Sequence, residues 1–235
     1  MPVTQVDSGR TEHDAALDAA VRVFADAGFA GTTLEQVAAE AGLGAGELRS
    51  LAVDTAALYD HALARAIAQI TPPREVLERS HAVPVEGMRR FVDSLFHAFL
   101  DHPDAVRLLL RENLDRHVDV AELATDHRDN DVALHVERLL MVGQDAGAFR
   151  PDINADDVLA LVVSLCEFQV THASSAYAIS RVNFADQRNT DGMRRMVIDA
   201  VLAFLTSNIP HSGYDSYLVA EEPPAAPGES EIYPG

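Results

Sequence analysis

The stretch that decides the fold runs from residue 16 to residue 59 and reads ALDAAVRVFADAGFAGTTLEQVAAEAGLGAGELRSLAVDTAALY. Its apolar residues recur three and four positions apart, which is the period of an amphipathic helix. Gly28 and Gly42 interrupt this period and indicate the ends of two helices. A short third helix at about 45–51 and a fourth at about 55–70 follow. Two short helices joined by a tight glycine turn predict a helix-turn-helix.

Working outward, we place the helix-turn-helix module at residues 14–71. The polar residues 1–13 predict a mobile leader. A pair of prolines follows the module and separates it from residues 74–208, which carry long apolar stripes and no strand pattern. Residues 209–235 are rich in Pro, Gly and Glu and predict a disordered acidic tail. The sequence therefore predicts an all-α protein with about nine helices.

Composition limits the class of protein. The 235 residues are 48% hydrophobic and 23% charged, which is typical of a globular chain. The single cysteine, Cys166, excludes an internal disulfide framework and fits a reducing compartment. No stretch of apolar residues is long enough to span a membrane, and the N-terminus lacks a secretory pattern. We expect a cytoplasmic protein that does not enter a membrane.

Residues 16–59 resemble the DNA-binding domain of the TetR family of transcriptional regulators. The matching positions are Ala16-Leu17-Asp18-Ala19-Ala20, Phe24, Ala27-Gly28-Phe29, Thr32-Thr33, Val37-Ala38, Ala41-Gly42-Leu43, Gly46, Leu48 and Ala57-Leu58-Tyr59. The resemblance implies a homodimer in which a larger helical domain binds a small molecule and pairs with its copy. It further implies a repressor that binds operator DNA and is released by its ligand.

The same resemblance places the DNA-contacting residues around the turn and the third helix. Arg49 can bind a guanine edge with two hydrogen bonds, and hydroxyl groups can bind phosphates. The residues assigned to this surface are Thr32, Thr33, Gly44, Ala45, Glu47, Arg49, Ser50, Thr55 and Tyr59.

Net charge argues against strong binding to DNA. The chain has 37 acidic residues against 18 basic ones, all of them arginine, so its formal charge is −19 and it repels phosphates. Glu47 adds a negative charge to the third helix itself. One alternative is therefore a protein of this fold that has lost operator binding and acts as a module that binds a small molecule or a partner. Another is an enzyme whose acid–base groups are His97, Glu167 or His172.

Polar and aromatic residues on otherwise apolar helices are candidates for ligand contacts. Polar groups on a buried helix need partners, which a ligand can supply. The plainer alternatives are ordinary core positions, solvent-facing positions and pairs across a dimer. The candidates are Phe96, His97, Leu100, His135, Glu167, Gln169 and His172.

A metal site is a further hypothesis for one predicted helix. His127, Asp131 and His135 lie four residues apart on one predicted helix of about 120–146. Their ends are separated by about 12 Å at the usual helical rise, too far for one ion. We expect neither a metal nor a cofactor.

The last two long helices carry wide apolar stripes, which the resemblance assigns to a four-helix dimer interface. The residues expected there are Val158, Val162, Met193, Val197, Val201 and Phe204.

Overall fold

A computed structural model describes residues 4–79, 81–120, 123, 132–207 and 217–218. Regular structure within these residues is entirely helical, which confirms the all-α prediction. Eleven helices lie in the described ranges, two more than the sequence suggests. They are α1 (Thr4–Ala27), α2 (Leu34–Ala41), α3 (Ala45–Leu51), α4 (Thr55–Ile70), α5 (Arg74–Leu77), α6 (Pro84–Asp101), α7 (Pro103–Asp115), α8 (Val132–Asp145), α9 (Ala155–Thr171), α10 (Ala173–Ser180) and α11 (Gln187–Thr206).

The first helix is longer than expected. It begins at Thr4, so most of the predicted leader at residues 1–13 is helical. A helix that is already formed extends at low cost, even through polar sequence, because each added residue gains one backbone hydrogen bond.

Helices α1 to α4 form the first hydrophobic core, and their ends follow local capping rules. Gly28 and Gly42 have positive φ values of 74° and 68°, which glycine adopts without steric cost. Thr33 caps α2, and the side chain of Gln36 completes the capping box. Asp54 caps α4 by accepting a hydrogen bond from the backbone of Ala57 at 2.9 Å.

A second core lies among α6, α8, α9 and α11. Helix α7 belongs to both cores: Ala105 and Leu108 pack with the first, whereas Val106 packs with the second. The two packed units therefore share one helix.

Candidate DNA-binding surface and ligand cleft

The helix-turn-helix has a rigid turn and an exposed third helix. The backbone N–H of Leu43 donates to the carbonyl of Ala38 at 2.9 Å and closes the turn after α2. Leu48 is fully buried and holds α3 against the first core. Glu47, Arg49 and Ser50 lie on the exposed side of α3.

Glu47 has a structural role. Its carboxylate accepts a hydrogen bond of 2.7 Å from the backbone N–H of Gly44 and so caps α3, whose N-cap glycine has no side chain to do so. The hydroxyl of Ser50 donates to the carbonyl of Glu47 at 2.6 Å. The acid that argues against DNA binding in the sequence thus stabilises the start of this helix.

Arginines of the module lie beside acids. Within residues 13–71, Arg22 pairs with Glu40 at 3.0 Å, Arg65 with Asp18 at 2.7 Å, and Arg49 with Glu35 at 3.6 Å. The Arg49 pair is long and both of its side chains are well exposed, so it contributes little and can be exchanged for another partner. The side chain of Arg49 on α3 is therefore exposed and only weakly held.

Two of the predicted DNA contacts are wrong. Thr32 is buried and its hydroxyl donates to the carbonyl of Gly28 at 2.8 Å. Tyr59 is also buried, and its hydroxyl donates to the Glu112 carboxylate at 2.8 Å. Thr33 caps α2 and Thr55 begins α4, while Gly44 and Ala45 form the start of α3.

Tyr59 belongs to a polar bridge between α4 and α7. Glu112 accepts from Tyr59 through one oxygen and from the backbone N–H of Val118, at 2.7 Å, through the other. Burial, followed by the hydrogen bond to Glu112, raises the pKa of Tyr59 far above its usual value. Arg111 donates from α7 to the carbonyls of Ala25 and Asp26, both at 3.3 Å, near the end of α1. Helix α7 is thereby hydrogen-bonded to two helices of the DNA-binding module.

A cleft of about 240 Å³ lies between α5, the start of α6 and α8. Its walls are mostly apolar. They are formed by Leu77, Pro84, Leu139, Met141 and Val142.

Charged and polar groups complete the cleft. His135 is buried and lines it, and Nε2 of its ring has no hydrogen-bond partner among the described residues. Glu78, Arg79, His81 and Arg138 also line it. The cleft thus combines apolar walls with two guanidinium groups and one buried, unsatisfied ring nitrogen.

The other predicted ligand contacts do not line this cleft. Phe96 is fully buried in the second core, and Leu100 packs against that core. His97 is exposed, with Nδ1 at 2.8 Å from the carbonyl oxygen of Asp93. His172 is exposed and stacks on Phe168.

The remaining two candidates lie on α9. Glu167 is half-buried, whereas Gln169 is buried and neither polar atom of its amide has a partner among the described residues. Cys166 next to them is buried, which raises the pKa of its thiol to about 12. It is therefore a small core residue and not a reactive thiolate.

Five of the six residues predicted for the dimer interface are wrong, and Phe204 stays a prediction. Five of them lie inside the second core of a single chain: Val158, Val162, Met193, Val197 and Val201. Phe204 is half-buried against Arg150 and Tyr217. The opposite faces of the same helices are exposed or half-exposed, with Ala160, Ser164 and Phe168 on α9 and Gly192, Met196 and Ala200 on α11.

Metal-binding and membrane-spanning features are both limited. In the described ranges, no three His, Cys, Asp or Glu side chains are arranged to hold a metal ion; His127 and Asp131 fall outside these ranges. No single described helix is long and apolar enough to cross a membrane, although α9 and α10, bent by 80°, meet that length and composition together.

Known families match both parts of the chain. Residues 16–48 match the family described as bacterial regulatory proteins, tetR family, and residues 84–201 match the tetracyclin repressor-like C-terminal domain. Over 176 residues the chain is 26% identical to the HTH-type transcriptional repressor NicS of Pseudomonas putida, a match that covers 74% of this chain and 83% of NicS.

Solved structures of regulators share the fold. The TetR family transcriptional regulator PfmR from Thermus thermophilus is similar with a TM-score of 0.60 and 17% identity, covering 81% of this chain and 95% of PfmR. The ketosteroid transcriptional regulator KstR2 of Mycobacterium tuberculosis is similar with a TM-score of 0.58 and 20% identity, covering 83% of this chain and 94% of KstR2.

Proposed function

Because the chain belongs to the TetR family of transcriptional regulators, we propose that it is a homodimeric repressor that binds operator DNA and is released by a small molecule. The observation that carries this proposal is α3, which is held to its core by Leu48 while Arg49 and Ser50 remain exposed. This is the arrangement that a recognition helix needs to enter the major groove. Operator binding implies a cytoplasmic location.

Binding should depend little on salt. Each phosphate contact from a basic residue releases counterions, and an interface with about six to ten such contacts loses affinity steeply with salt. Here the arginines at 22, 49 and 65 all lie beside acids, so most contacts must come from hydroxyls and backbone N–H groups. We expect the logarithm of the association constant to fall with the logarithm of salt concentration at a slope shallower than about −3.

Fluorescence anisotropy on a labelled duplex from the region upstream of the chain's own gene tests this function. The titration is run at about 50 mM and about 200 mM salt, the range in which counterion release is largest. Saturable binding with a shallow slope supports the repressor. No binding even at the lower salt concentration contradicts it.

Arg49→Gln should weaken binding to that duplex about tenfold, since a two-bonded arginine–guanine contact is lost. Arg90→Gln on α6 is the matched control, because it removes the same charge from an exposed arginine that pairs with Glu86 at 2.9 Å. Equal affinities for the two variants in the anisotropy titration would show that Arg49 makes no contact with DNA.

A second candidate function is supported by the ion pairs of the module. A chain of this fold whose arginines are neutralised within the domain can bind a small molecule or a protein partner without DNA. The absence of binding at low salt, together with ligand binding by the purified protein, would favour this function. His97, Glu167 and His172 do not line the cleft, so the cleft gives the enzyme alternative no support.

For the homodimer, we propose the outward faces of α9 and α11 as the interface. Small residues at Ala160, Ser164, Gly192 and Ala200 allow helices to approach closely, and Met196 between them is 56% exposed. Two such helices from each subunit form a four-helix interface around a twofold axis. Met196 would then be buried by the partner.

Met196→Arg should shift the dimer to monomers, raising the dissociation constant about a hundredfold, because it places an unpaired charge in the interface. Leu114→Arg is the control, since Leu114 on α7 is 75% exposed and lies outside the proposed interface. Light scattering after size-exclusion chromatography measures both. A dimeric Met196→Arg protein at low micromolar concentration would place the interface elsewhere.

A further inference from the structure

The cleft between α5, α6 and α8 holds a polar atom that the described residues leave unsatisfied. His135 is only 3% exposed, and its Nε2 has no hydrogen-bond partner there. Leaving a buried polar atom unpaired is unfavourable, so native structures nearly always pair such atoms with protein, water or a ligand. His135 lines a cavity, and its unpaired nitrogen therefore marks a position where a bound molecule can make a directed contact.

The protonation of the His135 ring decides whether Nε2 accepts or donates a hydrogen bond to a bound molecule. The backbone of Leu77 lies within reach of the ring, and Nε2 is the ring nitrogen without a partner among the described residues. Burial lowers the pKa of His135, and the nearby charges of Arg138 and His81 lower it further, so the imidazole is neutral at pH 7. In a neutral ring only one nitrogen carries a proton. We assign that proton to the other nitrogen, which faces the Leu77 backbone, so that Nε2 is an acceptor and its partner must donate.

The positive charge at the cleft favours a bound molecule that also carries an anionic group. Arg79 and Arg138 both line it, against the single acid Glu78. Glu78 is already paired with Arg74, with 2.6 Å between Oε1 and Nε. Arg138 donates to the backbone carbonyl of Leu134 at 3.2 Å through one nitrogen, which leaves other N–H groups of its guanidinium for an anion. A carboxylate is the anion that a guanidinium binds with the best geometry among small organic groups.

We propose that this cleft binds a small, largely apolar carboxylic acid that carries a hydroxyl or N–H donor. The donor bonds to His135 Nε2, the carboxylate lies at Arg79 and Arg138, and the apolar body contacts Leu139 and Val142. A volume of about 240 Å³ is below the range of drug-sized sites, which favours a molecule built on one ring. This inference specifies the ligand class of the regulator proposed above and rests on its being ligand-responsive.

Three probes separate the contributions of the two groups. Isothermal titration calorimetry on the full-length protein, without DNA, compares 4-hydroxybenzoate with benzoate, which lacks the donor, and with phenol, which lacks the carboxylate. We expect 4-hydroxybenzoate, or its 3-hydroxy isomer, to bind about tenfold more tightly than either. His135→Phe should abolish the preference over benzoate, and Arg138→Gln should reduce the preference over phenol.

His97→Phe is the matched control, because His97 is exposed on α6 and does not line the cleft. It should leave every affinity unchanged. Equal binding of hydroxybenzoates and benzoate to the unsubstituted protein, or no binding at millimolar concentration, overturns the proposal even if His135→Phe fails to fold. A preference that survives in a folded His135→Phe protein overturns it as well.

The experiments distinguish an error in the proposed ligand class from an error in the proposed repressor function. A protein that binds its upstream duplex but none of the probes loses only the proposed ligand class. A protein that binds hydroxybenzoate with the expected preference but not the duplex keeps the ligand class and loses operator binding.

Discussion

Glu112→Ala should lower the free energy of unfolding by about 3 kcal/mol, because it leaves the buried hydroxyl of Tyr59 and the half-buried N–H of Val118 without an acceptor. Glu112 is 1% exposed and accepts from the Tyr59 hydroxyl and from the backbone N–H of Val118. The substitution removes the polar bridge between α4 and α7, whereas the packing of Ala105 and Leu108 and the hydrogen bonds of Arg111 still hold α7 to the DNA-binding module. Urea denaturation followed by circular dichroism measures the loss.

Glu137→Ala provides the control for this experiment. Glu137 has the same side chain and also lies within a helix, α8, but it is exposed. Its replacement should change the free energy of unfolding by less than about 0.5 kcal/mol. If both substitutions have the same small effect, the Tyr59–Glu112 bridge contributes nothing to stability.

A second large effect is expected from Gly143→Ala, which should lower the free energy of unfolding by about 3 kcal/mol. Gly143 is buried near the end of α8, and a Cβ there would overlap the ring of Phe149. The chain cannot move away easily, since the backbone N–H groups of Ala148 and Phe149 both donate to the Gly143 carbonyl, at 2.8 and 3.0 Å. The ring must leave its place in the second core.

Gly46→Ala is the corresponding control, because nothing lies within 4 Å of the Cβ that it would add to α3. Replacing a helical glycine by alanine without steric conflict should stabilise the protein by about 0.5–1 kcal/mol. Thermal unfolding of both variants would therefore show shifts of opposite sign. A stable Gly143→Ala protein would mean that Phe149 is not fixed against α8.

Helix ends are the feature that the sequence predicts best, because they depend on local chemistry. Gly28 and Gly42 end their helices with positive φ, as their position in the pattern indicates. The sequence does not predict α10, because its eight residues show no apolar stripe. None of them is buried in the structure. The pattern predicts one helix over residues 120–146; α8 covers 132–145, and residues 124–131 fall outside the described ranges.

Which apolar face points inward cannot be predicted from the pattern. Helix α9 is apolar on nearly every side, so the period gives no direction, and the expectation that Val158 and Val162 contact a partner is wrong because they pack inside the chain. The prediction for Tyr59 fails for a related reason: its acceptor, Glu112, lies 53 residues away. Contacts of that range are set by packing, which a single sequence does not encode locally.

The sequence predicts one wall of the candidate cleft, on α8, but not the opposite wall. His135 is a candidate in the sequence because a polar residue on an apolar helix needs a partner, and Arg138 and Val142 share its face at helical spacing. Leu77, Arg79 and Pro84 reach the same cleft from the start of the second region, before its first apolar stripe in the sequence. Helix α5 is short and the loop after it has no helical period, so the sequence does not indicate that they line a cavity.

Glu47 has one more consequence, for how readily this regulator could be engineered to bind its operator more tightly. An engineer would first replace the acid on the recognition helix with a basic side chain. That change would also free the Gly44 N–H that the carboxylate holds, and would weaken the start of the helix that must enter the groove. Glutamine at this position would remove the negative charge and keep an acceptor for the cap, as Gln36 does in α2. A positive charge has to be added outside the helix start.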